Sequence, residues 1–315
     1  MQEHVVLRAA TDADADRLAD FINTCTLAYQ GVARSSPAEA RAQLYEHGTD
    51  PAVDSRVALV QDEIVGFGRI WAASDDELRL YARTHPDATG TGIGSALLAF
   101  CEGRAHELAL DRPRELTTTS WAADERAPEL LTELGFAPVR YFLQMKIAAD
   151  EIPARPDWPD GVDVEPLSEG RVEDDALYAA WRDAFAGHWG HVDQGAARFW
   201  EERRNPDRDV FPFDASLWFV ATSASEVAGF SFCEQSGARG RVAEIGVVDA
   251  HRGRGLGFAL LTHSFHELRV RGAAEIVLDV DSENLTSAVR LYTKAGMTPH
   301  PSFTIWGKEV QGAQR

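Results

Sequence analysis

The chain has 315 residues, of which 44% are apolar and 26% are charged, a composition typical of a globular protein and not of a disordered one. This length is sufficient for two domains of ordinary size. A net charge of −19 at pH 7 disfavours nucleic acid as a partner, because no basic surface is available to neutralise phosphates.

Cysteine usage and the first residues predict the compartment. The three cysteines, at positions 25, 101 and 233, form no CxxC pair, which is typical of reduced thiols and not of a disulfide framework or a zinc site. Residues 1–20 already carry Glu3, Arg8 and Asp12 and lack the apolar core of a signal peptide. No apolar run approaches the length of a membrane span. We expect a cytoplasmic monomer or homodimer with no metal, no membrane and no nucleic acid among its partners.

An internal repeat organises the chain. Residues 64–67 (IVGF) recur as 227–230 (VAGF), and residues 91–98 (TGIGSALL) recur as 254–261 (RGLGFALL), both at an offset of 163. Residues 134–138 (LGFAP) correspond to 295–299 (AGMTP) at an offset of 161. Three matches in the same order at nearly one offset indicate a duplicated domain.

A proline-rich segment separates the two copies. Pro153, Pro156 and Pro159 fix the backbone and remove hydrogen-bond donors, which predicts an extended connection. We therefore expect a first domain over residues 1–149, a linker over 150–161 and a second domain over 162–315.

In chain order, the second copy alternates strands and helices. The patterns predict a strand at 162–166, a helix at 174–186, a hairpin of 217–221 and 227–233, a strand at 242–248, a helix at 256–271, a strand at 276–280, a helix at 286–294 and a strand at 302–306. Gly272 and Gly296 follow the last two helices as C-terminal stops. The predicted fold class is α/β, with helices layered on a mixed sheet.

The strongest motif lies between the strand ending near Val247 and the helix beginning at Leu256. Gly253, Gly255 and Gly257 allow the backbone to turn tightly and direct N–H groups outward at a helix N-terminus, where the dipole favours anions. Arg252 and Arg254 add positive charge for phosphate. The spacing is not the G-x-G-x-x-G of a dinucleotide fold and lacks the Gly-Lys-Ser/Thr of a P-loop. It is typical of a pyrophosphate cradle, or of a glycine turn that only packs strand on helix.

The order Arg252-x-x-Gly255-x-Gly257 resembles the acyl-CoA signature of the GNAT acetyltransferases. Downstream, Asn284, Ala288, Leu291-Tyr292 and 295–297 follow that family's N…A..LY...GF spacing. The resemblance spans residues 162–306, with a weaker match over 5–146, and implies two tandem domains, each a mixed, mostly antiparallel sheet flanked by helices.

The resemblance also implies the chemistry and the residues that perform it. Acetyl-CoA would be the acyl donor, and a primary amine of a small molecule would attack its thioester directly in a ternary complex. Asn284 would contact the pantetheine arm, the backbone of Val247 would bind the oxyanion, and Tyr292 would protonate the departing thiolate, unless Tyr292 is only a core aromatic. The expected acetyl-CoA-binding residues are Val247, Val248, Arg252, Gly253, Arg254, Gly255, Leu256, Gly257, Phe258, Asn284 and Tyr292.

The general base has two candidates. The family places basic catalysts on the strand before the loop at positions that correspond here to Arg241 and Ala243, and neither can serve. Glu244 follows Ala243 in the sequence. Regular alternation along a strand places its side chain on the opposite face of the sheet, unless a bulge returns it to the face of the expected base. Glu234, on the preceding strand, is the alternative.

An acceptor-binding loop is expected after the first helix of the second copy. His188, Trp189 and His191 could stack an acceptor and relay its proton. The alternative is a surface turn with the indole on the core.

The first copy lacks several of the residues on which the resemblance of the second copy rests. Thr89 replaces the signature arginine, Ala123 replaces Asn284 and Leu131 replaces Tyr292. A degenerate first copy before a competent second one resembles the mycothiol synthases, tandem members of the superfamily that acetylate a cysteinyl-glucosaminyl-inositol. Their acidic residue on the pre-loop strand corresponds to Arg241, so we expect a different small amine. A protein or peptide N-acetyltransferase and a non-catalytic acetyl-CoA-binding regulator are the alternatives.

Overall fold

The computed structural model describes residues 5–31, 33, 35–110, 112–186, 193, 195–204, 213–281 and 288–312. The chain divides into two compact units: unit 1 is Met1–Tyr141 with Ser302–Arg315, and unit 2 is Phe142–Pro301. None of the helices within these ranges is long and apolar enough to cross a membrane.

Unit 1 is a sheet with helices on its faces. Its elements are β1 (Val6–Arg8), α1 (Ala15–Gln30), α2 (Pro37–Tyr45), α3 (Pro51–Asp54), β2 (Ser55–Val60), β3 (Glu63–Ala72), β4 (Glu77–Thr84), α4 (Ile93–Ala109), β5 (Arg114–Trp121), α5 (Ala127–Glu133) and the start of β6 (Ala137–Ala148). The strand order is β1-β2-β3-β4-β5, and all neighbours are antiparallel except β4 and β5.

Unit 2 repeats this plan. Its elements are β7 (Val162–Pro166), α6 (Asp174–Phe185), α7 (Ala196–Arg203), β8 (Trp218–Ser223), β9 (Glu226–Ser236), β10 (Arg239–Val247), α8 (Leu256–Val270), β11 (Glu275–Asp281), α9 (Ala288–Lys294) and the start of β12 (Thr298–Val310). The strand order is β7-β8-β9-β10-β11, and only β10 and β11 are parallel. The predicted α/β fold with mixed, mostly antiparallel sheets is confirmed.

Each unit is completed by a strand whose chain segment begins in the other. Residues 142–148 of β6 pair with β11 in unit 2, and residues 303–310 of β12 pair with β5 in unit 1. Each repeat therefore exchanges its last strand. The segment expected as a linker has its Trp158 ring 5.4 Å from that of His263 on α8, and Pro153 accepts a hydrogen bond from His266.

The two faces of the unit 2 sheet carry different cores. On one face, α8 contributes Leu260, Phe265 and Leu268 to a fully buried cluster. On the other face, α6 and α7 cover an aromatic cluster around Phe230 and Phe232. Strand β10 lies between these two cores, so alternate residues of β10 face α8 or the α6–α7 pair.

Matching turns support the duplication. The hairpin turns Gln61-Asp62 and Ala224-Ser225 both have φ angles of 50° and 67°. Two successive positive φ angles are typical of a type I′ hairpin, whose twist matches the flanking strands. The same unusual turn is therefore conserved within both copies without glycine.

Candidate active site

Strands β10 and β11 separate after three residue pairs. Arg239, Gly240 and Arg241 pair with 275–277, but within the described residues no pairing continues although the strands extend to Val247 and Asp281. The C-terminal halves of these two parallel strands therefore diverge. The backbone N–H and C=O groups of β10 on the side of β11 have no strand to pair with there, within the described residues. This opening can accept an extended ligand.

The backbone of Val247 is directed into the opening. Val248 donates its N–H to the carbonyl of Ala228 on the β9 side, at 3.0 Å. Because successive backbone N–H groups of a strand point to opposite edges, the N–H of Val247 points away from β9 and towards the gap. It is a backbone donor that the strand holds in a fixed direction, towards the gap.

The glycine loop connects this strand to α8. It makes a single turn over Asp249–His251 and then reaches positive φ angles of 77° at Gly253 and 87° at Gly255. The first helical hydrogen bonds run from Phe258 and Ala259 to the carbonyl of Gly255. The N–H groups of residues 253–257, which donate no hydrogen bond within the described residues, remain available at the positive end of the helix dipole.

The two loop arginines have different surroundings. Arg252 donates from Nε to the carbonyl of Val247 at 3.0 Å and from Nη2 to that of Ala184 at 3.3 Å, and it forms an ion pair with Asp249 at 2.7 Å. Arg252 thus ties the loop to the end of α6. Arg254 is exposed.

Tyr292 is buried beneath the loop. It is 8% exposed and belongs to the same cluster as Leu256, Leu260 and Val280. Burial raises the pKa of Tyr292 to about 12, so the phenol is protonated throughout the neutral range. The neighbouring Leu291 packs against Gly257, where an added Cβ would lie 3.5 Å from the leucine side chain. Asn284 lies outside the described residues.

A bulge in β10 determines the orientation of Glu244. Val242 pairs with Cys233 and Glu244 with Phe232, which leaves Ala243 as the extra residue. Glu244 therefore shares the face of Phe232, covered by α6 and α7, instead of the α8 face that plain alternation would give it. The bulge that could redirect Glu244 is present.

The carboxylate of Glu244 is held by both covering helices. Arg203 of α7 donates to Oε1 at 2.6 Å, and the indole N–H of Trp181 on α6 donates to Oε2. Arg203 itself stacks on Phe199 at 3.9 Å. The sequence analysis predicted neither helix α7 nor the contact of Arg203 with Glu244. Phe199, Trp200 and Arg203 lie at helical spacing, which would have indicated this helix.

Glu234 lies further along the same face. It is 8% exposed and opposite Arg241, whose guanidinium is 3.2 Å from Oε2. Arg241 also approaches Asp279 of β11 at 3.6 Å. The two candidate carboxylates are thus on one face of the sheet, each with its own arginine. His188, Trp189 and His191 lie outside the described residues.

Unit 1 keeps the loop conformation but has a leucine at the position of Tyr292. Gly90 and Gly92 have φ angles of 79° and 87°, close to those of Gly253 and Gly255. β4 and β5 also separate after three pairs. Leu131, at the position of Tyr292, is buried and carries no proton to donate.

Comparisons with known proteins show the family of the chain. The model of the Acetyltransferase (GNAT) family matches residues 175–297, and that of an Acetyltransferase (GNAT) domain matches residues 54–138. A mycothiol acetyltransferase of Catenulispora acidiphila is 32% identical, over 68% of this chain and 67% of its own. One from Thermobispora bispora is 29% identical, over 98% of this chain and 94% of its own.

Solved structures extend the likeness to the whole chain. A GCN5-related N-acetyltransferase from Sphaerobacter thermophilus has a TM-score of 0.78 at 26% identity and covers 99% of this chain and 98% of its own. A tandem GNAT protein from the clavulanic acid biosynthesis pathway has a TM-score of 0.75 at 17% identity, covers 99% of this chain and 100% of its own, and shares the fold.

Proposed function

Because the chain belongs to the GNAT acetyltransferase family of acyl-CoA-dependent N-acyltransferases, we propose that unit 2 transfers an acetyl group from acetyl-CoA to a primary amine of a small molecule. The observation that carries this proposal is the gap between β10 and β11, with the Val247 N–H directed into it and the glycine loop at its mouth.

The donor side follows from the loop and the gap. The pyrophosphate binds the free N–H groups at the start of α8, with the exposed guanidinium of Arg254 beside it. The pantetheine arm takes the place of the missing strand pairing, and the thioester oxygen accepts from Val247. Arg252 supports this site by fixing the loop, since its guanidinium is engaged by Asp249 and two carbonyls.

The chemical step forms one bond and breaks one. The amine nitrogen bonds to the acetyl carbon, the C–S bond breaks, and the sulfur leaves as a thiolate that takes a proton from Tyr292. The amine must lose its own proton before or during attack. The high pKa of Tyr292 keeps it in the acid form that this role requires.

Glu244 is favoured over Glu234 as the group that receives the amine proton. Both lie on the α6–α7 face, but Glu244 precedes Val247 by three residues, whereas Glu234 is opposite Arg241, six residues away. At about 3.3 Å per residue, these separations are roughly 10 and 20 Å along the strand. One or two waters can bridge the first distance.

A small acceptor fits the chemistry of this face. The three carboxylates of Glu244, Glu234 and Asp279 outnumber the two arginines that pair with them, and the chain carries a net charge of −19, which favours the approach of a cationic amine. The named relatives are mycothiol acetyltransferases. We therefore propose a small polar amine of that general class as the partner.

The direct test uses the purified chain with acetyl-CoA and a panel of amines. Release of free thiol above the rate of hydrolysis, with mass-spectrometric detection of the N-acetyl product, is the expected result. Small amines should be better substrates than peptides with lysine or a free N-terminus. A protein that binds acetyl-CoA but acetylates no amine would contradict the proposal.

Glu244→Gln should lower kcat/KM by about 10²- to 10⁴-fold at pH 7, because the base is lost while the side chain keeps its size. The loss should shrink as pH rises and more of the amine is already unprotonated. A pH profile of kcat/KM measures this.

Glu234→Gln is the matched control, since it also removes one carboxylate from an arginine pair on the same face. It should retain most activity, and thermal unfolding checks that both variants fold. A larger defect in Glu234→Gln would reverse the assignment, and a pH-independent defect in Glu244→Gln would make Glu244 a positioning residue.

A further inference from the structure

Unit 1 contains a cavity that the proposed reaction does not use. Its volume is about 630 Å³, and it lies where β4 and β5 separate, beside the first glycine loop. The inner wall combines apolar side chains with hydroxyls: Ala82, Leu98, Leu131, Thr84, Thr118 and Thr119. The carboxylates Glu129 and Glu133, which also line it, are exposed and thus at the rim.

Arg83 is the cation at the inner end of this cavity. It is only 9% exposed, and its guanidinium carbon lies 4.4 Å from the ring centroid of Trp121 and 4.8 Å from that of Tyr81. It donates from Nη1 to the carbonyl of Ala82 and from Nη2 to the hydroxyl of Thr119. Its Nε is buried and has no hydrogen-bond partner among the residues that the structure describes.

No carboxylate among the described residues forms an ion pair with Arg83. Asp124 lines the same cavity, but its Oδ1 accepts from the N–H groups of Arg126 and Ala127, and no ion pair joins it to Arg83. A buried charge without a counter-ion is strongly unfavourable, and so is a buried donor without an acceptor. Both defects are relieved if an anion with a second acceptor atom occupies the cavity.

The duplication makes Arg83 a specific departure. Subtracting the offset of 163 from Gly246 gives position 83. At Gly246 an added Cβ would lie 2.5 Å from the Phe230 ring and 2.9 Å from Ala184 of α6, so no side chain fits there. Unit 1 instead accommodates an arginine and leaves space in front of it.

We propose that this cavity is a carboxylate site, in which Arg83 binds the carboxylate of an organic acid with a short aliphatic chain. Two oxygens of one carboxylate match the unpartnered Nε and the adjacent Nη2, and the threonine hydroxyls can donate to the same group. The aliphatic part lies against Leu98 and Leu131. The source is either a free acid or the acidic acyl group of a CoA thioester held on the first glycine loop.

The test compares butyrate with butyramide, its neutral isostere, by isothermal titration of the full chain. Butyrate should bind at least about tenfold more tightly, and Arg83→Met should abolish this preference. Arg79→Met is the matched control, because Arg79 lies on the same strand and is ion-paired to Glu77 at 2.8 Å outside the cavity. It should retain the preference.

A second arm identifies the source. In Gly255→Asp protein, which lacks the cradle of unit 2, succinyl-CoA should bind at least about tenfold more tightly than acetyl-CoA if the carboxylate belongs to an acyl group. Thermal unfolding without ligand checks that Arg83→Met is folded, since the substitution also removes the hydrogen bonds to Ala82 and Thr119.

Several results would overturn the carboxylate site. The carboxylate site is wrong if the wild type binds butyrate and butyramide equally and the Gly255→Asp protein binds succinyl-CoA and acetyl-CoA equally. This result requires no variant at Arg83. Unchanged preference in Arg83→Met would also overturn it. Failure of the amine-acetylation assay would not, because these measurements require no turnover.

Discussion

Tyr292→Phe is expected to lower kcat by about 10- to 1,000-fold while the dissociation constant for acetyl-CoA hardly changes. The substitution removes one hydroxyl and keeps the ring in the cluster with Leu256, Leu260 and Val280. The thiolate then leaves without its proton donor. The rate of thiol release at saturating substrate measures kcat, and calorimetric titration with acetyl-CoA measures the dissociation constant.

The leaving group provides a second measurement on the same variant. A thioester whose thiol is more acidic needs less help from an acid, so the defect should shrink with such a donor. The pH dependence also has a definite sign. Burial raises the pKa of Tyr292 to about 12, so the acid is present at every pH below that value and should cause no loss of kcat between pH 7 and 10.

Tyr81→Phe is the matched control for this prediction. Tyr81 is a tyrosine of unit 1 whose pKa is likewise raised to about 12 by burial. Loss of its hydroxyl should leave kcat unchanged. If Tyr292→Phe has kinetics near those of the wild type, Tyr292 is a packing residue, and the thiolate takes its proton from another group or from water.

The local structure of unit 2 could be predicted well from its sequence. The spacing of apolar residues predicted α6 and α8 to within one residue at each end, because these helices place one face on the sheet. Gly272 and Gly296 follow α8 and α9 with φ angles of 94° and 90°. Such angles are readily accessible only to glycine, so the positions of these two glycines predicted where the helices end.

Long-range features were not predictable in the same way. The pairing of residues 303–310 with β5 joins segments nearly two hundred residues apart, and the alternation of β12 fits either sheet. The contact of Glu244 with Arg203 depends on a bulge and on a helix that was not expected. The buried Nε of Arg83, which has no hydrogen-bond partner among the described residues, could not be recognised from the sequence because its neighbours come from distant segments.

Gly255→Asp is expected to abolish acetyl-CoA binding, raising the dissociation constant by more than about 100-fold, which corresponds to roughly 2.7 kcal/mol. The new carboxylate would lie at the mouth of the gap, where the pyrophosphate needs N–H donors and positive potential. Turnover should be lost with binding. Calorimetry and the thiol-release assay measure the two effects.

Gly92→Asp is a matched control for this change. Gly92 and Gly255 share a φ angle of 87°, each precedes the first residue of a long helix, and an added Cβ meets no atom of the described residues within 4 Å at either site. Aspartate therefore suffers the same backbone strain in both loops, of order 1–2 kcal/mol, and thermal unfolding should shift by similar amounts. Any difference in turnover then reports on the role of each loop and not on strain.

Turnover should remain largely intact in Gly92→Asp, because unit 1 has Leu131 where the acid would be. Gly255→Ala separates the effect of backbone strain from that of the added negative charge. It introduces the strain without the charge, and it should weaken acetyl-CoA binding less than Gly255→Asp does. Unchanged acetyl-CoA binding in Gly255→Asp would remove the glycine loop of unit 2 from the donor site. Lost turnover in a folded Gly92→Asp protein would show instead that unit 1 takes part in catalysis, since the strain is equal in the two loops.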